Sequence, residues 1–408
     1  MTPYSSFEYL AIDIAGHYGL DKLTFMDRLA WFKQNHKDLE SLADQAEDKP
    51  LFVKSVQVLR DIQLGRATGH MVSLDAVCSG IQLMSALTGC TEGAKATGLI
   101  DTGTRPDAYT LVTNEMNRLL QAEGRGSISI SRTDAKKAVM TSCYGARKEP
   151  ENLFGENLDI FYMAAMNIAP GAFELMPELI NTWNPKALDH SWTMPDGFEV
   201  FIPVMQTSET TIKVDELDGA GLTVQYKENL PSKFGLSNCA NLIHSVDALV
   251  MRNMVRRCSY NHVQTSEVSL WLEEYLLLGS APEALEDPLL IKYVTLAEQS
   301  QFIDPVVIPY INETNVYQLP HWYARKLSRL LDMMLDHKPF DLICIHDAYK
   351  SSMVNCNRVR YWYAEILAEI AESDMLAYLL TSLTGNKVTV EKEADIAELI
   401  RESEYCLS

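Results

Sequence analysis

Apolar residues recur at helical spacing along residues 7–45, where Leu23, Phe25, Met26, Leu29, Trp31 and Phe32 are interleaved with charges, and the pattern predicts helix there. The period changes over residues 68–87. An alternating stretch around Val72 and Leu74 predicts a strand, and the Cys-Ser-Gly that follows leads into an apolar helix. Helices are predicted at 105–122 and 132–143. At the second, Thr133 is followed three residues later by Lys136 rather than by Glu, so no capping box is expected. Residues 191–230 are β-rich, with Pro195-Asp196-Gly197 and Asp218-Gly219 as turns and a hairpin at about 208–228. Helix resumes over 240–257. Residues 259–314 carry nine acidic residues against one lysine, which predicts an inserted, solvent-facing module. Leu342–Ile345 predicts a short strand, followed by a turn and a second strand, with a long helix from about 357. No internal repeat or low-complexity tract interrupts this order.

Composition adds limits. A chain of 408 residues can hold two or three subdomains around a sizeable core, and 47% hydrophobic with 22% charged residues is ordinary for a globular protein. No apolar run reaches the ~18 residues of a membrane span, and the N-terminal MTPYSSFEYL lacks the basic and apolar blocks of a secretory signal. The eight cysteines form no Cys-x-x-Cys pair, which argues against a zinc ribbon or a thioredoxin-like site. Those inside apolar stretches, as in DLICIHD, read as small buried hydrophobes that suit a reducing cytoplasm. The net charge of -20 argues on its own against a nucleic-acid enzyme, unless cations are focused locally or supplied by another protein.

Three patterns carry chemistry. Asp75 ends the first predicted strand and precedes a turn, Ala76–Gly80, into a helix. Alone it reads as a helix cap. Asp347, after His346, sits at the tip of a strand–turn–strand. Alone it reads as a turn former. Two such acids from two strands suit a two-metal phosphoryl-transfer site, in which ions ~3.5–4 Å apart stabilise both the attacking and the leaving oxygen. Third, Arg132, Lys136, Met140 and Tyr144 are spaced by four and form one drifting helical stripe. Its two cations suit a triphosphate, the Arg as a fork and the Lys as a point charge or proton donor, and its aromatic suits a base or sugar. The bland alternative is a solvated basic face with Tyr144 in the core.

Together these residues resemble the single-subunit RNA polymerase family of phages and mitochondria. The matching segments are Asp75-Ala-Val-Cys-Ser-Gly80-Ile81-Gln82; Arg132, Lys136, Met140, Thr141, Tyr144 and Gly145; and His346-Asp347. Asp107-Ala-Tyr109, Trp192-Thr-Met-Pro-Asp-Gly-Phe198, Asn241-Leu-Ile-His244-Ser245-Val-Asp247 and the C-terminal Glu402–Ser408 are similar to further family segments. The likeness covers nearly the whole chain except about 259–335.

The resemblance implies an α+β, predominantly helical fold with a right-hand palm and fingers, an antiparallel palm sheet carrying the aspartates, and a β-hairpin in the place of the specificity loop. It implies palm at 1–90, fingers at 91–235 with the nucleotide-binding helix 132–145, a return to palm at 236–258, an acidic insertion at 259–335, and palm with a C-terminal foot at 336–408. It also implies two Mg²⁺ held by Asp75 and Asp347 with the carbonyl of Ala76 assisting. Arg132 and Lys136 would bind the triphosphate, with Lys136 protonating the leaving group. Tyr144 and His244 would monitor the 2′-hydroxyl and base-pair shape, with Tyr109 nearby and His346 near the primer end. Gly80, Met140 and Ala348 stand where related DNA polymerases carry Glu, an aromatic and Glu, and so point to ribonucleotides.

The activity implied is that of a DNA-directed RNA polymerase catalytic subunit acting on DNA template, nascent RNA and NTPs in the cytoplasm of an infected bacterium. The family's thumb and Asp-x-x-Gly-Arg motif are not found upstream; Asp61-Ile-Gln-Leu-Gly65-Arg66 has one residue too many and lies too close to Asp75. A second polypeptide supplying them, basic enough to offset the charge here, is therefore expected, and the chain looks like the larger subunit of a heterodimeric phage RNA polymerase II. The hairpin's sparse cations, Lys213 and Lys227, suggest a single-stranded or pre-melted template delivered by a recruitment factor. The competing readings are a DNA polymerase, a non-catalytic polymerase-like binder and a structural helical protein.

Overall fold

The computed structural model describes residues 1–408, the side chain of Leu217 excepted. Among them the strands are β1 (Met71–Asp75), β2 (Asp189–Thr193), β3 (Glu199–Pro203), β4 (Met205–Val214), β5 (Ala220–Asn229), β6 (Ile343–Ile345) and β7 (Ala348–Ser352), and most of the rest is helical. An antiparallel sheet of order β1-β7-β6 joins segments more than 260 residues apart in sequence. Val72 and Leu74 of β1 are buried while Asp75 at its end is open, so the alternation read from the sequence sets which face meets the core. Behind the sheet run the helices Ser79–Thr88 and Cys356–Glu372, both nearly all buried. Gln82 ties three segments together: its amide donates to the carbonyls of Thr97 (2.8 Å) and Cys406 (3.1 Å), and it accepts from the Tyr363 hydroxyl at 2.9 Å.

The C-terminal residues close the sheet edge. Asp75 and Ser408 exchange backbone hydrogen bonds of 3.3 and 3.0 Å, Ala76 bridges Leu407, and Tyr405, Cys406 and Leu407 are buried. Arg360, itself buried, donates to Tyr9, Thr2 and Glu404, which fastens both chain ends to the helix Cys356–Glu372. β2–β3 and β4–β5 are separate two-stranded antiparallel pairs. The latter runs the full register from Met205↔Asn229 to Val214↔Ala220, a longer hairpin than the 208–228 expected.

Three expectations are corrected. The continuous helical pattern of 7–45 is broken: helix Ser6–Ala15 passes into a π-helical turn, Gly16–Leu20, and helix Phe25–Asn35 restarts behind a Thr24 cap. Gly19 has φ +117°, which right-handed helix cannot accommodate, and π turns concentrate at functional sites. The helix Arg132–Ser142 has no capping box, as expected, but is capped by Ser131, whose hydroxyl accepts from the Asp134 amide and donates to its carboxylate. Tyr144 lies beyond that helix's last residue, where Gly145 at φ +88° turns the chain away. The acidic segment is no mere solvent-facing module: its helices His262–Leu278 and Pro288–Ser300 bury Val268, Leu272, Tyr275, Leu290 and Val294 in the common core. The cysteines are all free thiols, six of them buried and Cys78 and Cys344 half-buried.

Candidate active site

The register of β1 on β7 pairs Asp75 with Ala348, so Asp347, the next residue, lies beside Asp75 at one end of the sheet. The amide of Ala76 donates to the carbonyl of Asp347 at 3.1 Å and locks the two segments together. His346 and Asp347 form the two-residue link between β6 and β7, and His346 has φ +55°, a place that hairpins usually give to glycine. Cys78, three residues after Asp75, is also left-handed at φ +54°. Each such non-glycine costs on the order of 1–3 kcal/mol and persists only where the surroundings over-determine it, so backbone strain flanks both aspartates.

A cavity of about 910 Å³ opens over this pair, and every sequence-predicted site residue lines it. The floor carries Asp75, Ala76, His346 and Asp347. One wall is the helix Arg132–Ser142 with the turn after it, presenting Arg132, Lys136, Met140 and Tyr144; the facing walls carry Gly80, Tyr109 and His244. The rings of Tyr144 and His244 lie 4.7 Å apart. Arg132 and Lys136 both approach the Tyr109 ring at 5.7 Å. Arg132 is not free: its Nε donates to Asp107 at 2.6 Å and to Thr110 at 3.2 Å. The guanidinium is thereby held in place with its remaining N–H groups available, while the Lys136 side chain reaches the cavity exposed.

Electrostatics mark the floor as anionic. Incomplete solvation, and then the charge of Asp347, raise the Asp75 carboxyl above its usual range, with Ser73 opposing through a 3.3 Å hydrogen bond. Asp75 remains open to the cavity, so this push is moderate. Burial lifts the Asp247 carboxyl to about 6, Asp347 adding to the rise and His346 opposing it. Burial lowers the pKa of the His244 imidazole. Burial drives the Cys78 thiol up to about 11 despite a hydrogen bond with Tyr109, so this cysteine is not a nucleophile at neutral pH.

Two neighbouring carboxylates with like-charge strain fit a divalent cation, which would relieve that strain. Among the described residues no group of three or more His, Cys, Asp or Glu side chains gathers as a metal cage. A fit through these residues therefore rests on the two aspartates, with the backbone of Ala76 and a bound substrate completing the shell, the usual condition for Mg²⁺.

Sequence reasoning gave no site role to five charged lining residues: Asp21, Lys22, Arg105, Asp107 and Asp247. Asp21 and Lys22 follow the π turn, whose only sequence sign is the glycine-rich break Gly16-His17-Tyr18-Gly19. Arg105 donates to the Ser408 hydroxyl at 2.7 Å, a contact across 303 residues that no local pattern announces. Asp247 stands one helical turn after His244 and carried a visible signal in the segment already singled out. A second cavity of about 760 Å³ adjoins the first and shares Lys22, Arg105, Asp107 and Arg132.

Residues 66–149, which hold Asp75 and the stripe from Arg132 to Tyr144, match the family model described as DNA-dependent RNA polymerase. The chain is 24% identical over 299 residues to the DNA-directed RNA polymerase of Pseudomonas phage phiKMV, covering 59% of this chain and 36% of that protein. It is 24% identical over 185 residues to T7 RNA polymerase of Escherichia phage T7, covering 34% of this chain and 21% of that protein. The chain thus spans about a third or less of the length of these relatives. Over these partial stretches the chain is similar to phage DNA-directed RNA polymerases.

Proposed function

We propose that this chain is the catalytic subunit of a DNA-directed RNA polymerase, joining ribonucleotides on a DNA template in a phage-infected bacterium. The observation that carries the reading is the β1–β7 register, which sets Asp75 beside Asp347 under a wall bearing Lys136, Arg132 and Tyr144. Asp75 and Asp347, with the carbonyl of Ala76, would hold two Mg²⁺, whose chemistry is to stabilise charge on the attacking and leaving oxygens. The chain's own groups do the rest. Arg132, oriented by Asp107, and Lys136 hold the triphosphate, and the exposed Lys136 ammonium can donate a proton to the departing pyrophosphate, typically worth ~10²–10⁴-fold. Tyr144 and His244 form an aromatic wall that reads base-pair shape, Tyr109 backs the two cations, and His346 stands beside the primer end.

Ribonucleotide choice is favoured by the missing side chain at Gly80, against which the Tyr144 hydroxyl packs, the thioether of Met140 and the small Ala348. In this reading residues 1–90, 236–258 and 336–408 are palm and foot, 91–235 are fingers, and 259–335 are an insertion. A second, basic polypeptide gripping the duplex belongs to the proposal. Its supports are the net charge of -20 and the exposed apolar side chains of Phe7, Met26, Val53 and Leu64 on the helices before β1. The hairpin β4–β5, with Lys213 and Lys227 its only cations, favours a single-stranded or pre-melted template.

The experiment is Mg²⁺-dependent ribonucleotide incorporation on a primed single strand, with the chain alone and then with fractions of phage-infected cells. Activity that needs a second polypeptide and vanishes in Asp347→Ala supports the whole proposal. Activity of the chain alone keeps the enzyme and removes the obligate partner, and no activity under any condition leaves a non-catalytic, polymerase-like binder.

A further inference from the structure

The helix His262–Leu278 is apolar on two opposite sides. One side buries Thr265, Val268, Leu272 and Tyr275 against the helix His321–Leu335, with the Tyr275 hydroxyl donating to Leu319 at 2.7 Å. The other side leaves Val263, Leu270 and Leu277 exposed by 67%, 64% and 87%, with Leu278 beside them at 61%. Such exposure is ordinary for one aliphatic but not for a row of them. The three are seven residues apart. Seven steps of helix fall about 20° short of two full turns, so they lie in one stripe along the helix. Glu267, Glu273 and Glu274 are interleaved with them at three- and four-residue spacing and are exposed too, and the helix contains no lysine or arginine. Leu270, Glu273, Glu274, Leu277 and Leu278 line a shallow cavity of about 430 Å³. None of these residues lines the cavity over Asp75 and Asp347.

We propose that this stripe is a docking site for one amphipathic helix of a partner protein, whose apolar seam is flanked by lysine and arginine. An apolar row with one residue per two turns is a narrow ridge that the apolar side of a partner helix can cover, and the flanking charges choose that partner. A second copy of this chain would set Glu267, Glu273 and Glu274 against themselves, and like charges across a seam oppose pairing. Nucleic acid is repelled by the same acids. A basic helix satisfies both the leucines and the glutamates. The proposal does not depend on the polymerase reading, because its readout is binding.

The test uses the full chain and a labelled synthetic helix of three heptads, with leucine at the seam and lysine at the flanking positions, followed by fluorescence anisotropy. Saturable binding is expected, weakening as salt rises and falling about tenfold or more in Leu270→Ser/Leu277→Ser. The charge reversal Glu273→Lys/Glu274→Lys should lose the lysine helix and gain the matching glutamate helix. All four positions are exposed, and circular dichroism checks that the fold is retained. Absence of saturable binding, equal affinity for the glutamate helix, or binding unchanged in the double serine variant would overturn the proposal. So would dimerisation of the chain, seen by sedimentation, that the double serine variant abolishes.

Discussion

A Cβ added at Gly80 would lie 2.6 Å from the Tyr144 hydroxyl oxygen and 2.9 Å from its ring carbon Cζ. The absent side chain is what lets the tyrosine reach across the cavity, so Gly80 and Tyr144 form one device rather than two separate contacts.

Gly80→Ala should push the tyrosine aside at a cost of about 1–3 kcal/mol of local strain and lower ribonucleotide incorporation. Gly80→Glu should suppress ribonucleotide use more strongly, because the carboxylate also fills the space proposed for the 2′-hydroxyl. Steady-state incorporation of rNTPs and dNTPs gives the ratio. Unchanged rNTP use in Gly80→Glu would count against this geometry.

Asp75→Asn and Asp347→Asn should each lower nucleotidyl transfer by about 10³-fold or more, the scale of several kcal/mol of lost transition-state charge stabilisation. Chelation by EDTA should abolish activity of the unaltered chain and excess Mg²⁺ restore it. Near-normal rates in either variant, with the fold intact by circular dichroism, would remove these aspartates from the chemistry.

Asp107→Asn releases the carboxylate that holds Arg132 at 2.6 Å. The expected result is a rise in KM for NTP of about tenfold with kcat less affected, since an orienting charge-assisted bond of about 1.5–3 kcal/mol is lost. Lys136→Ala should instead act mainly on kcat. Identical effects of both variants on kcat and KM would refute this division of labour.

The Asp247 carboxyl, lifted to about 6 first by burial and then by Asp347, keeps a proton in the folded protein that the unfolded chain has lost. Stability of the metal-free chain should therefore fall as pH rises from about 4 to about 6. Asp247→Asn should flatten that slope, and Asp347→Asn should move the Asp247 midpoint downward. Urea titrations across this window, with carboxyl NMR for the midpoint, decide it; an unaltered slope in Asp247→Asn argues against the assignment.

The buried Asp13 accepts from Ser55 and His70 at 2.9 Å and from His17 at 3.3 Å. Burial alone would raise its carboxyl, but the two histidines outweigh it and hold the group down at about 2. Its stabilisation is present above about pH 4 and disappears as pH falls through the folded value. His17 is shifted upward because Asp13 outweighs its burial, so its share is full below about pH 6.5 and lost at higher pH. Asp13→Asn should cost about 3 kcal/mol near pH 5 and much less near pH 2. Thermal melts at both pH values check the difference.

The sequence by itself determined the parts whose cause is local. β1 with Asp75 was legible because period-two apolar alternation ends in a turn. The helix of Arg132, Lys136 and Met140 was legible because four-residue spacing makes one face, and the His346-Asp347 tip because it follows a short apolar strand. Tyr144 lines the same cavity but not as part of one helical stripe, since the helix ends at Ser142 before it. Only the tertiary structure decided what depends on distant partners. It brings Asp21 and Lys22 through a π turn to the cavity, sets Ser408 against Asp75 and Arg105, and aims Asp247 at the same floor. It also gives the acidic segment a buried side and leaves the Leu270–Leu277 row uncovered. Burial and long-range hydrogen bonds belong to pairs of residues hundreds of positions apart, and neither period nor motif along the chain encodes which pairs will meet.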